Sequence, residues 1–178
     1  ARGTFWLSET PDKPGSKSWD AALPRICTYV VLRDRTDGRS FCFANAHTDH
    51  KSEKARLNGL KLVLERMGKI AYGMPLVFVG DHNCYETQAP AQAVSAALSN
   101  ALYASRTAPK GPWRSCPGFA VPDKGEIPAA EGVAATTPEE RNDGTYGKRI
   151  DYVYVSPSVT VSDYETVCKP RADLGVYP

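Results

Sequence analysis

The stretch Phe43–Glu53, FANAHTDHKSE, decides how this chain is read. Small and apolar residues run up to Ala46; His47, Thr48, Asp49 and His50 follow, and a charged, helix-like segment begins at once. Three ionisable side chains stand where a strand gives way to a helix, the place where open α/β sheets commonly bind ligands.

Working outward, RICTYVVLRD (25–34) and RSFCFANAHTD (39–49) are rich in β-branched and aromatic residues and flank Asp37-Gly38, a strong hairpin signal. From Ser52 to about Ile70 the period changes: Leu60, Val63, Leu64, Met67 and Ile70 recur at three- and four-residue steps, which predicts an amphipathic helix. Ser52 suits its N-cap and Glu53 the positive end of its dipole. MPLVFVGDHN (74–83) reads as a buried strand that Gly80 helps to stop, and PAQAVSAALSNAL (90–102) as a second helix entered through Pro90. Residues 105–148 hold many Pro and Gly without clear period, a long excursion of the kind that carries function. KRIDYVYVSP and VTVSDYETVC close the pattern as two more strands. Strands mixed with helices in this order indicate a layered α/β or α+β fold.

The chain's 178 residues amount to about one domain, with 42% apolar and 24% charged residues. A formal charge of +2 is too small to argue for nucleic-acid binding by electrostatics alone. No apolar stretch approaches the roughly 18 residues of a membrane span. The five cysteines, Cys27, Cys42, Cys84, Cys116 and Cys168, form no CxxC pair, which argues against a zinc ribbon or a complete disulfide framework. Cys27 and Cys42 are expected as small buried side chains in strands.

Strand alternation puts Asn45, His47 and Asp49 on one side, with Thr48 and His50 on the other. It pairs Asp81 with Asn83 and turns His82 away; it pairs Arg149 with Asp151 against Ile150, Tyr152 and Tyr154. Three strands thus end, or nearly end, in polar groups on one face. Each has a bland reading: a hydrogen-bonded structural histidine, a GDHN turn, a capping aspartate.

Their order and spacing carry a resemblance. GDHN (80–83) resembles the GDxN signature of the endonuclease/exonuclease/phosphatase superfamily, which includes DNase I and exonuclease III. NAHTDH is similar to that family's NTHLDH strand end, KRIDYVYVSP to its RIDYIFVSP strand, and GTFWLSETPDKPGSKSWDAALPR to a segment of its bacterial branches. The four pieces fall in family order from residue 3 to about 171.

The resemblance implies an α+β, DNase I-like β-sandwich with flanking helices, of which residues 1–178 supply mainly the C-terminal half as a single partial domain. It implies a phosphoester hydrolase, phosphodiesterase or nuclease-like, with Mg²⁺ or Mn²⁺ as cofactor, since hard oxygen ligands and phosphate suit such ions. Asp81 would contact the metal or orient water. Asn83 would donate to a phosphoryl oxygen, and His47 would serve acid–base work or phosphate contact. Asp151 would orient a second histidine, Arg25 would contact phosphate by bidentate geometry, and Asp49 would assist His47 as a carboxylate behind it. His50 is expected to be structural or helix-capping.

The departures are specific. The family's metal-binding Asn and Glu belong to an N-terminal half, and its second catalytic histidine to an SDH motif; neither is found here. His82 stands where an apolar residue is common, and Thr48 where Leu is. A sheet carrying one layer of a sandwich would expose an apolar face, so the expected partners are the missing N-terminal half, a second copy or another chain, besides a phosphoester substrate with nucleic acid among the candidates. Any targeting segment would lie upstream. Two other classes share parts of this pattern. A metallo-β-lactamase-like hydrolase fails because Asn45 stands where its first zinc-binding histidine is needed, and only His47, His50 and His82 exist in the chain. A non-catalytic phosphate-ligand or protein-binding module on a degenerate hydrolase scaffold is the alternative.

Overall fold

A computed structural model describes residues 1–111, 113, 115 and 149–167. The strands are β1 (Arg2–Trp6), β2 (Ile26–Arg33), β3 (Ser40–Ala46), β4 (Leu76–Asp81), β5 (Ser99–Asn100) and β6 (Asp151–Val155). The helices are α1 (Glu53–Ile70), α2 (Ala89–Ser95) and α3 (Ala101–Ala104). All six strands join one mixed sheet in the order β1-β2-β3-β4-β6-β5. Only the β3–β4 pair is parallel, joined by α1 as a crossover. This is the α+β arrangement expected.

The β2–β3 hairpin turns at Gly38, whose positive φ of 76° the Asp-Gly pair makes accessible. Ser52 caps α1 by accepting the Ala55 N–H at 3.1 Å. The apolar stripe of α1, Leu60, Val63 and Met67, is wholly buried against Cys27, Cys42, Ala44, Phe78, Tyr152 and Tyr154 on one face of the sheet, with Val94 of α2 beside them. Cys27 and Cys42 are free and buried, as strand-core side chains should be, and Cys84, in the turn after β4, is free and buried as well; Cys116 and Cys168 lie outside the described residues. Arg66 anchors the loop before β2 to α1 through two 2.7 Å bonds to Asp12 and lies over the Phe5 ring.

Across the sheet, Val30, Phe43, Val77, Val79 and Val153 form the opposite face, each half-buried. No described helix is long and apolar enough to cross a membrane.

Several expectations change. β3 ends at Ala46 rather than Asp49, so alternation stops before the ionisable residues. Gly80 does not stop β4, which runs through it to Asp81. The helix expected over 90–102 breaks after Ser95, because Ser99 and Asn100 pair with Val155 and Tyr154 and Asn100 then caps α3. The last expected strand, 159–168, is reduced to bridges Ser105–Val161 and Lys110–Glu165 in its described part. Most of the 105–148 excursion lies outside the described residues.

Candidate active site

Four residues named from the sequence meet at one end of the sheet. β3 and β4 run parallel and finish there; β2 and β6 run against them and begin there. His47 follows β3 and is exposed, Asp81 closes β4 and is half-buried, and Asp151 opens β6 as the direct register partner of Asp81. His47 Nε2 lies 3.4 Å from Asp81 Oδ2.

The three chain segments are stitched together just beyond the strands. The Thr48 N–H donates to the Asp81 carbonyl at 3.0 Å, and the Thr48 hydroxyl to the His82 carbonyl at 2.6 Å. The His82 N–H donates to the Ile150 carbonyl at 2.8 Å. Asn83 takes the left-handed conformation (φ 48°), which Asn tolerates better than most residues. It donates its backbone N–H to Asp81 Oδ1 at 2.8 Å and a side-chain N–H to the Thr48 carbonyl at 3.1 Å. The amide of Asn83 is therefore aimed by the backbone of the neighbouring strand end.

Asp151 carries a raised carboxyl pKa. Burial is the main cause and the charge of Asp81 adds to it, while a hydrogen bond from Ser115 and the charges of Arg149 and His47 act against it. Two adjacent carboxylates in unequal surroundings are a pattern that separates acid from base roles. As oxygen donors they also fit Mg²⁺ or Mn²⁺, which protein sites often hold with only one or two carboxylates. Among the described residues no cluster of three or more His, Cys, Asp or Glu forms a closed metal site.

Asp49 sits elsewhere. Its side chain is buried under the loop before β2: Oδ2 accepts the Ala22 and Leu23 N–H at 2.8 and 3.2 Å, and Oδ1 accepts those of Lys51 and Ser52 at 2.9 and 2.7 Å. The four bonds turn it away from His47, because the chain leaves the strand pleat at Ala46. Burial opposes ionisation, but the four N–H donors together outweigh it and hold the carboxyl down to about 2. Its folded pKa is thus below the unfolded value, so its contribution is complete above about pH 4 and is lost as pH falls towards 2. Asp49→Asn would set an amide N–H among backbone donors; we expect a loss of about 2 kcal/mol at pH 7, read by urea denaturation. A change below about 0.5 kcal/mol would contradict this role.

Arg25 stands in the loop entering β2 at the same end of the sheet, with Nη2 3.4 Å from His50 Nδ1. His82 points into the helix-covered core, as alternation requires. Sequence reasoning missed Ser115, whose Oγ accepts both the Ile150 and the Asp151 N–H at 3.0 Å. A serine inside a long aperiodic excursion offers no signal. Arg149 was visible only as sharing a face with Asp151.

No protein-family model and no curated protein matches the sequence. Solved structures do. An endonuclease/exonuclease/phosphatase family protein from Bacteroides thetaiotaomicron is 29% identical over 100% of this chain and 59% of its own, with a TM-score of 0.74. A mannosyl-6-phosphatase from Bacteroides thetaiotaomicron VPI-5482 is likewise 29% identical, over 100% of this chain and 60% of its own, at 0.74. An endonuclease/exonuclease/phosphatase from Bacteroides vulgatus shares the fold at 0.78 with 24% identity, over 99% of this chain and 60% of its own. The chain spans about six-tenths of the length of these structures. The sheet order and the strand-end residues agree with these likenesses: the chain is similar, over its whole length, to solved structures of the endonuclease/exonuclease/phosphatase family.

Proposed function

We propose that this chain carries the His47, Asp81, Asn83 and Asp151 part of a divalent-metal-dependent phosphoester hydrolase. The observation that supports it most is the row itself: an exposed histidine 3.4 Å from a carboxylate that is the register neighbour of a second carboxylate. With a proton on Nε2 facing Asp81, the imidazole has Nδ1 left to accept a proton from water or to return one to the leaving oxygen. Asn83 uses one side-chain N–H on Thr48 and has the other to offer a phosphoryl oxygen as charge develops. Asp151, whose pKa burial and the charge of Asp81 raise above the ordinary carboxylate value, differs in proton affinity from a carboxylate in open water, which suits it to a role distinct from that of Asp81. Mg²⁺ or Mn²⁺, when bound, would offset phosphate charge; Asp81 would hold it, with Asp151 beside it.

The mannosyl-6-phosphatase likeness favours a phosphate monoester over a long nucleic acid, as does the small net charge. On the same reading, the half-buried Val30, Phe43, Val77, Val79 and Val153 face is covered in the whole domain by a second layer, from an N-terminal half or a second copy.

The test is hydrolysis of p-nitrophenyl phosphate and bis-p-nitrophenyl phosphate by the full-length protein, with Mg²⁺ and with EDTA. Asp81→Asn should lower kcat by about a hundredfold or more without unfolding the protein. Turnover that survives both EDTA and the substitution would refute the proposal. No turnover in a well-folded protein, with tight binding of inorganic phosphate, would favour the binding-module alternative.

A further inference from the structure

Arg149 is 1% exposed, yet the reading above gives it no part. Among the described residues its guanidinium meets no carboxylate at bonding distance. It donates to the Trp113 carbonyl at 2.6 Å and to the Tyr164 hydroxyl, with its charge over the Tyr164 ring, 5.4 Å from the centroid. Among the described residues its Nε has no partner. Burying a guanidinium on neutral acceptors is costly, so a location this deep calls for a reason beyond stability.

The neighbours supply one. Trp113, itself buried, stands two residues before Ser115. The Ser115 Oγ accepts the N–H of Ile150 and of Asp151, and its hydroxyl bonds the Asp151 carboxylate. On the other side, the Tyr152 hydroxyl lies 3.1 Å from the Arg149 carbonyl and 2.8 Å from that of Cys84, just past the Asp81–Asn83 turn. The entrance to β6 is thus gripped from both sides at the point where Asp151 comes into register with Asp81.

We propose that Arg149 is a positioning residue for Asp151: by clamping Trp113 to the entrance of β6 it seats Ser115 on the Asp151 backbone and carboxylate, and so sets that carboxylate against Asp81 and His47. The inference rests on the hydrolase reading and deepens it. The charge of Arg149 also acts on Asp151 directly, favouring its ionised form.

The experiment uses the full-length protein with Arg149→Lys, Arg149→Met and Ser115→Ala, each alone and combined with Asp151→Asn. Turnover of p-nitrophenyl phosphate is measured together with amide hydrogen exchange at residues 150 and 151. In the wild-type background kcat should fall by about tenfold to a hundredfold, with KM little changed, as expected for a misplaced group. In the Asp151→Asn background the same substitutions should cost less than about twofold, because residues acting through one another are not additive. The two amides should lose protection in each variant, and Lys should recover part of the loss seen with Met. Equal losses in both backgrounds, or amides that stay protected, would overturn the proposal. An inactive wild type would refute the hydrolase reading and with it the catalytic meaning of the clamp, while exchange would still decide whether the clamp exists. Ser115→Ala covers the case in which Arg149 variants do not fold.

Discussion

Gly80→Ala should cost the protein about 3–5 kcal/mol and lower its melting temperature by roughly 10 °C or more. Gly80 holds a φ of 142°, a region that L side chains rarely adopt. A Cβ placed there would lie 1.9 Å from the Ala46 carbonyl oxygen and 2.9 Å from its carbon. These are backbone atoms of the adjoining parallel strand, so no rotamer change relieves the overlap; β3 and β4 must move apart. The residues that follow the two contact points are His47 and Asp81, and the hydrogen bonds that align them, from Thr48 to Asp81 and His82, span the same gap. Any hydrolytic activity should therefore fall further than stability alone explains, even well below the melting point. The matched control is Gly68→Ala in α1, where a new Cβ meets nothing within 4 Å; removing a helical glycine there should stabilise by about 0.5–1 kcal/mol. A Gly80→Ala protein melting within about 2 °C of the wild type would show that β3 and β4 are looser than drawn.

Gly80 also marks how far the sequence could be read. Local signals were sufficient where local forces dominate: the three- and four-residue apolar steps of α1 are its buried face, Ser52 is its cap, and Asp37-Gly38 is the β2–β3 turn. Alternation likewise brought His47, Asp81 and Asp151 to one sheet end, since each lies in or next to a regular strand. It failed for Asp49 because β3 ends at Ala46; Thr48 and Asp49 are then both buried, which no period of two allows. β1 was missed because Arg2–Trp6 pairs through tertiary contacts: Gly3 lies opposite Tyr29, whose ring covers the space a Cβ would take. The helix read over 90–102 broke for the same kind of reason, two residues being captured by β6 as an edge strand. The role of Gly80 itself was half-legible. A glycine between a strand and a turn is read as a stop, whereas here it permits two backbones to touch while the strand continues.

The second large effect concerns acid. His82 is fully buried, with both ring nitrogens lacking a partner among the described residues, and its ring lies beside those of Phe78, Tyr152 and Tyr154 at centroid distances of 4.9, 5.4 and 5.8 Å. Burial pushes its pKa down to about 3, so the folded protein holds it neutral where the unfolded chain would protonate it. With the folded pKa below the unfolded value of about 6.5, unfolding takes up a proton once pH drops below the latter. Stability linked to His82 is complete above about pH 6.5 and declines by up to roughly 1.4 kcal/mol per pH unit as pH falls towards 3. Asp49 adds to acid loss only below about pH 4, and Asp151, whose pKa is raised, runs the opposite way. The informative quantity is therefore the difference between the wild type and His82→Phe. That variant keeps a flat ring in the aromatic cluster and removes both orphaned nitrogens, whose burial without partners is itself destabilising. Urea denaturation at pH 7.5, 6 and 4.5 should show the variant gaining on the wild type by a few kcal/mol across the series, nearly all of it below pH 6.5. Parallel curves would mean that His82 is protonated in the folded protein at pH 4.5, which its surroundings could support only by opening the core between Phe78 and Tyr154 to water.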